Sequence, residues 1–422
     1  MWWTKRCAAV ACAALALLAL TVCATLPTAQ PRFVFSGNDL GFIRPCGCSK
    51  PVLGGIARRA GMLHLLRQEG PLVPLSTGNL VAESGVQQQV KLEHMLFAMN
   101  AMGYKALAPG VGEFGLGLDY LRGIASLADF PFVCLNATQA GEPVFARSVA
   151  LEGTAWRVTG LVPTDMNCAD VVVEDPVAAL GAFAASLDAG TELVVLWNGP
   201  EEMVEKLEQA LPAARRARTV IAVACVGDAP RPIAGAASMA VAVGSKGRDL
   251  LLLQADAVPY WRSIRLEESV VLDAECARIL DAYRDVVRGE NLVSGNPRSS
   301  SAAYSGGASC RECHEDCTTA LATSGHMRAM QTLERTRDER DPECVRCHVV
   351  GYDDSEGWTL EKPALANVDC EACHGPSEAH AQTQSVTPVS KPAPRSCLRC
   401  HDMDNSPNFD FDTYWPKIRH GK

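Results

Sequence analysis

Histidine is scarce in this chain and unevenly placed. Of nine histidines in 422 residues, only His64 and His94 precede residue 309. A hydrolase that works through two metal ions needs enough nitrogen and oxygen donors to hold both and activate a water, and the longer first part of the chain is short of them. A basic excess is lacking too. Lys and Arg number 39 against 48 Asp and Glu, a net charge of −9, which argues against nucleic acid binding, since that calls for a basic face. After residue 26 there is no second long apolar run, so the body beyond it holds no segment of bilayer-spanning length.

At the amino terminus, Lys5 and Arg6 precede an apolar run from Cys7 to Leu26, followed by Pro27. Residues 1–26 therefore read as a secretory signal, with a small-residue cleavage point after Ala24, or as a membrane anchor if left uncut. Either way the chain is expected to be exported, to the periplasm or the outer side of the cytoplasmic membrane.

What is abundant is cysteine: three in the apolar run, eight in a repeated motif, and Cys46, Cys48, Cys134, Cys168, Cys225, Cys276 and Cys317 besides. In an oxidising compartment some of these seven are expected to pair. The repeated motif is C-x-x-C-H, present four times as CRECH, CVRCH, CEACH and CLRCH. Two thiols at that spacing reach the two vinyl groups of one porphyrin, and the adjoining histidine is delivered to the iron. Zinc ribbons and redox dithiols also use C-x-x-C, yet neither has reason to place histidine next to the second cysteine four times running. The expected attachment residues are Cys310 and Cys313, Cys344 and Cys347, Cys370 and Cys373, and Cys397 and Cys400. The proximal ligands are His314, His348, His374 and His401. Four covalent haem c groups follow.

The composition changes at a Gly-, Ser- and Asn-rich stretch over 291–308, which reads as a linker. Upstream, over 32–290, strand-like runs alternate with amphipathic stretches, the pattern of an α/β domain. Strands are predicted at Phe33–Ser36, Val73–Ser76, Phe132–Leu135, Leu193–Trp197 and Val220–Val226, and helices at Gly55–Glu69, Val86–Met102, Glu201–Leu211 and Asp273–Arg288. Consecutive strand-like runs between Met239 and Leu266 predict a partly antiparallel sheet. Downstream, over 309–422, one haem motif per roughly 28 residues leaves too little polypeptide for an ordinary core, so short helices and loops wrapped on porphyrin are expected. Ser385–Arg395 is proline-rich and expected to be an extended loop.

Past the proximal histidines, this second part has only His326, His380 and His420 to serve as distal ligands, which leaves one haem short. Met327, Met330 and Met403 are alternatives for that position. A helix from His314 to His326 would separate the two by about 18 Å, so His326 is expected on a different haem from His314.

The segments SGHMRAM, CHVVGY, CEACHGPSEAH and NSPNFDFDTYWPKIRHG, together with the four motifs, resemble the cytochrome c-554 family of tetrahaem cytochromes. That resemblance implies electron shuttling between redox proteins, bis-histidine ligation of three haems with His326, His380 and His420 distal, and a five-coordinate second haem. The earlier part resembles calcineurin-like metallophosphoesterases of the 5′-nucleotidase branch, through Asn38-Asp39-Leu40-Gly41, GGIARRAGMLHLLR, Ser76-Thr77-Gly78-Asn79, MNAMGYKALAPGVGEF and FPFVCLNAT. The resemblance implies a layered sheet-and-helix fold. Asp39 stays where that family has a ligand, but Gly41 takes a histidine position, Asn79 the bridging aspartate, and Val111-Gly112 the Asn-His before Glu113. The histidines expected near Asn198 and Asp228 are absent as well. A scaffold without hydrolytic activity is the expectation, attached to an electron-carrying domain with an unidentified redox donor and acceptor. The alternative is an oxidoreductase acting on a small nitrogen or oxygen compound at the open haem.

Overall fold

A computed structural model describes residues 30–45, 50–224, 227, 229–236, 238–255, 260–295, 301–385 and 389–420. The expectations for residues 1–26, Cys46, Cys48, Cys225 and Asp228 lie outside the described residues. No helix among those described is long and apolar enough to cross a membrane.

The first half is a four-layer α/β sandwich. Strand β1 (Arg32–Ser36) pairs in parallel with β2 (Leu72–Ser76), in register from Arg32 with Leu72 to Ser36 with Ser76. The five-stranded sheet runs in the order Tyr260–Arg265, Asp249–Gln254, β1, β2, Ala106–Leu107. Asp249–Gln254 pairs antiparallel with β1, and Tyr260–Arg265 antiparallel with Asp249–Gln254, as the strand-rich stretch after Met239 predicts. A six-stranded sheet, including Trp156–Leu161, Glu192–Trp197 and Thr219–Ala224, stacks against it. Alternation along the strands divides the core: Phe33 and Phe35 of β1 point between the sheets toward Trp156, Val194 and Val220, and Val34 points outward.

The outward face of the five-stranded sheet is covered by helices α1 (Ile56–Gln68), α2 (Val86–Ala101) and α3 (Ala274–Gly289). Helix α1 starts where Gly54 and Gly55 adopt φ of +78° and +92°, and a Cβ on Gly55 would come within 2.5 Å of the Pro45 ring. Helix α3 is capped by Asp273, whose carboxylate accepts the amides of Glu275 and Cys276.

One predicted strand is not formed. Phe132–Leu135 is buried and extended but makes only isolated bridges. Its amides are shared between sheets, Val133 donating to Leu107 and Leu135 to Gly160, so no continuous ladder can form. The regular strand begins at Ala137.

The second half is built of short helices, as expected. Among its described residues it has one apolar cluster, around Met330, Leu333, Val345, Val349, Tyr352 and Trp358. Helix α4 (Pro342–His348) carries the second motif through that cluster. Within the proline-rich stretch a helical turn starts at Pro394, where a proline at the first helical position leaves no backbone donor unsatisfied. Residues 301–307 lie along this half, with the amides of Ser305 and Gly306 held by Glu371.

Candidate haem centres and a filled metal cleft

Each C-x-x-C-H motif begins or completes one turn of helix. The amide of His314 donates to the carbonyl of Cys310 at 3.0 Å and that of His401 to Cys397 at 2.9 Å, which puts each histidine on the same face as its first cysteine. Asp341 caps α4 through the Glu343 amide, followed by Pro342, and Asp369 caps the third motif through Cys370. These caps satisfy amides at the start of each turn.

The histidines meet in pairs, each joining a motif histidine to one outside the motifs. His314 faces His380 with ring centroids 6.2 Å apart, His326 faces His401 at 6.0 Å, and His374 faces His420 at 6.0 Å. Two metal–nitrogen bonds of about 2 Å and two ring radii of about 1 Å sum to about 6 Å, so each gap admits one iron between two imidazoles. His348 has no histidine ring opposite it among the described contacts. Of the methionines considered for that place, Met330 is packed in the apolar cluster and Met403 is exposed.

The imidazoles are oriented for ligation. Nδ1 of His348 lies 2.6 Å from the carbonyl of Ala329, Nδ1 of His374 2.9 Å from that of Ser390, Nδ1 of His380 2.8 Å from that of Ser385, and Nδ1 of His420 2.9 Å from that of Ile418. Donation from Nδ1 to a carbonyl leaves the Nε2 lone pair for a metal. Burial pushes His326, His348 and His401 below the usual imidazole range, toward the neutral form that ligates. Cys310 and Cys370 lie close enough to shift each other's ionisation, as do Cys347 and Cys400. The first motif is thereby set against the third, and the second against the fourth. A cleft of about 410 Å³ beside the third motif is lined by Cys373, Lys391, Arg395 and Arg399, cations suited to the carboxylates of a porphyrin. The residues present thus fit haem c, which when bound supplies one-electron chemistry. Cys134, Cys168, Cys276 and Cys317 are free thiols; Cys46, Cys48 and Cys225, the rest of the seven among which some pairing is expected, lie outside the described residues. Cys134 and Cys276 sit among core side chains.

In the α/β half, the residues at former ligand positions are occupied with one another and with backbone. Asp39 forms a buried two-pronged ion pair with Arg59 of α1. Burial works against the charge on Arg59, and the Asp39 carboxylate overcomes this, holding it above the usual guanidinium range. Glu113 accepts the amides of Gly110 at 2.6 Å, Asn79 at 2.8 Å, Leu80 at 2.5 Å and Val81 at 3.2 Å. The Asn79 side chain accepts from Gly112, and Asn198 accepts from Val111 and donates to the carbonyl of Thr77. Among the described residues no three His, Cys, Asp or Glu converge as a metal site would need. His64 and His94 lie on α1 and α2, and His94 contacts the Val90 carbonyl of its own helix. The second half also contacts the cleft loops: Lys246, whose amide donates to Asn38, pairs through its side chain with Asp404. Neither the Arg59 ion pair nor these contacts carry a signal in the sequence, because their partners have no fixed spacing.

The family model for cytochrome c554 and c-prime matches residues 309–375, a span that includes the first three motifs. Cytochrome c-554 of Nitrosomonas europaea is 32% identical over 102 residues, covering 20% of this chain and 43% of that protein. The carboxy-terminal part, from residue 309 on, resembles cytochrome c-554. Resemblance to cytochrome c-554 implies covalently bound haem c. The trifunctional nucleotide phosphoesterase protein YfkN of Bacillus subtilis is 35% identical over 114 residues, 24% of this chain and 8% of that protein. The chain thus spans less than half the length of either curated relative. Among solved structures, a 5′-nucleotidase precursor from Thermus thermophilus aligns with TM-score 0.52 at 18% identity, over 73% of this chain and 68% of that one. The calcineurin-like phosphoesterase YfkN aligns with TM-score 0.50 at 18% identity, over 61% and 98%. At such identity the likeness shows the fold: the amino-terminal half is metallophosphoesterase-like.

Proposed function

We propose that the chain is an exported tetrahaem cytochrome c that relays electrons between a redox donor and a redox acceptor in the periplasm, or anchored there through residues 1–26. The observation that carries this reading is the set of three facing imidazole pairs at 6.0–6.2 Å. A six-coordinate iron between two imidazoles changes oxidation state with little rearrangement, which suits relay. Cys310, Cys313, Cys344, Cys347, Cys370, Cys373, Cys397 and Cys400 hold the porphyrins. His314 with His380, His374 with His420, and His401 with His326 would ligate three irons, and His348 the fourth. In this reading the α/β half serves as a scaffold for the haem domain and does not hydrolyse phosphate esters, since Asp39, Asn79, Glu113 and Asn198 have other partners.

A second reading has one observation in its favour. His348 lacks a facing histidine, so its iron would have a free position for a small nitrogen or oxygen compound, and the chain would be an oxidoreductase. Pyridine haemochrome analysis of the natively matured protein, with paramagnetic resonance, tests both. Four haems per chain with three low-spin and one high-spin are expected. Fewer than four would overturn the tetrahaem reading, and a fully low-spin protein that binds no carbon monoxide would remove the second.

A further inference from the structure

The helix that carries the second haem motif is clamped by the α/β half. Arg44, in the loop after β1, directs Nη1 to Asp338 at 2.6 Å, and Nη2 to Asp341 at 2.8 Å and to Sγ of Cys344 at 2.6 Å. Asp341 also accepts the Tyr283 hydroxyl of α3 at 3.2 Å and the Gln87 amide of α2 at 2.8 Å. Glu343 accepts from Gln88 at 3.1 Å and pairs with Lys91 at 2.5 Å. Arg44 is 16% exposed, Asp341 4% and Lys91 3%, so these charges are poorly screened.

The clamp uses the position where the related hydrolases carry a histidine. A Cβ on Gly41 would stand 2.9 Å from Oε1 of Gln88 and 3.2 Å from Nζ of Lys91. A side chain at 41 would have to displace the ends of the two side chains that hold Glu343.

We propose that Arg44 is a haem-site residue supplied by the α/β half, positioning the Cys344 attachment and raising the reduction potential of the second haem. The Cys344 thiol here stands for the thioether formed on haem attachment, whose sulfur keeps a lone pair that accepts weakly. Reduction adds one electron to the iron, from Fe(III) to Fe(II). A fixed cation at the porphyrin edge favours the electron-rich state, and the carboxylates of Asp338 and Asp341 oppose it. The inference rests on the proposed haem at the second motif with His348 as its axial ligand.

The test is a spectroelectrochemical titration of the full-length holoprotein with dithionite as reductant, following the high-spin haem. In Arg44→Gln the ratio of reduced to oxidised high-spin haem falls about tenfold at fixed potential, equal to about 59 mV for a one-electron couple, with the low-spin haems moving less than about twofold. Arg44→Lys restores most of the shift. Asp338→Asn, which removes a counter-charge, moves the same haem toward the reduced form. Opposite signs are a signature that a loosened fold does not produce. An unmoved high-spin haem in fully loaded Arg44→Gln, an equal shift of all four haems, or both variants moving the same way overturns the proposal. If Arg44→Gln does not fold, Asp338→Asn decides: no shift, or a shift toward the oxidised form, overturns it. A wild-type haem count below four, measured first, counts against the tetrahaem reading; a full count with a failed titration counts against Arg44 alone.

Discussion

His326, in the segment between the first two motifs, stands opposite His401 of the fourth, with ring centroids 6.0 Å apart. The other two facing pairs likewise join separate segments, His314 with His380 and His374 with His420. Ligation across segments is what would close a domain that has one small apolar cluster of its own.

His326→Ala removes one imidazole and leaves the thioether attachment untouched. The haem count stays at four, and the high-spin share rises from about one quarter to about one half, read by paramagnetic resonance.

Asp39→Ala strips the counter-charge from the buried guanidinium of Arg59. An uncompensated buried charge costs about 3–5 kcal/mol, to be seen as a lower urea midpoint for the α/β half. The double variant Asp39→Leu with Arg59→Met recovers most of that loss, because an apolar pair of similar volume needs no counter-charge.

Tyr283→Phe deletes the hydroxyl that donates to Asp341 across the two halves. The loss is about 0.5–1.5 kcal/mol. Denaturation monitored separately at the Soret band and by tryptophan fluorescence should show both transitions moving, since the bond joins the two parts.

Burial pushes the Cys134 thiol up to about 12. The unfolded thiol ionises near its ordinary value of about 9 while the folded one cannot, so its contribution to stability is complete below pH 9 and is lost as pH rises from 9 toward 12. Urea midpoints measured from pH 7 to 11 should stay level and then fall, with a smaller fall in Cys134→Ala. At pH 8 the folded protein should resist iodoacetamide at this site.

Much of the site was legible beforehand because its chemistry is local. Cys344, Cys347 and His348 lie within one helical turn, and that spacing alone says what they can attach. The count of three further histidines likewise showed that one iron would lack a partner. Which histidine faces which was not legible, because the pairs are closed by loops whose path leaves no periodic trace. The helices α1, α2 and α3 follow from apolar spacing and the cap at Asp273. Phe132–Leu135 misled because a buried apolar run signals burial, and hydrogen-bond partners decide whether a ladder forms.

Taken alone, the order of residues determined the haem motifs, the missing metal ligands and the α/β pattern of the first half, since each depends on neighbours within a few positions. Only the tertiary structure decided that Arg59 neutralises Asp39, that His326 meets His401, and that Arg44 reaches Cys344. Those are contacts between charges and rings brought together by packing, and packing is set by the whole fold.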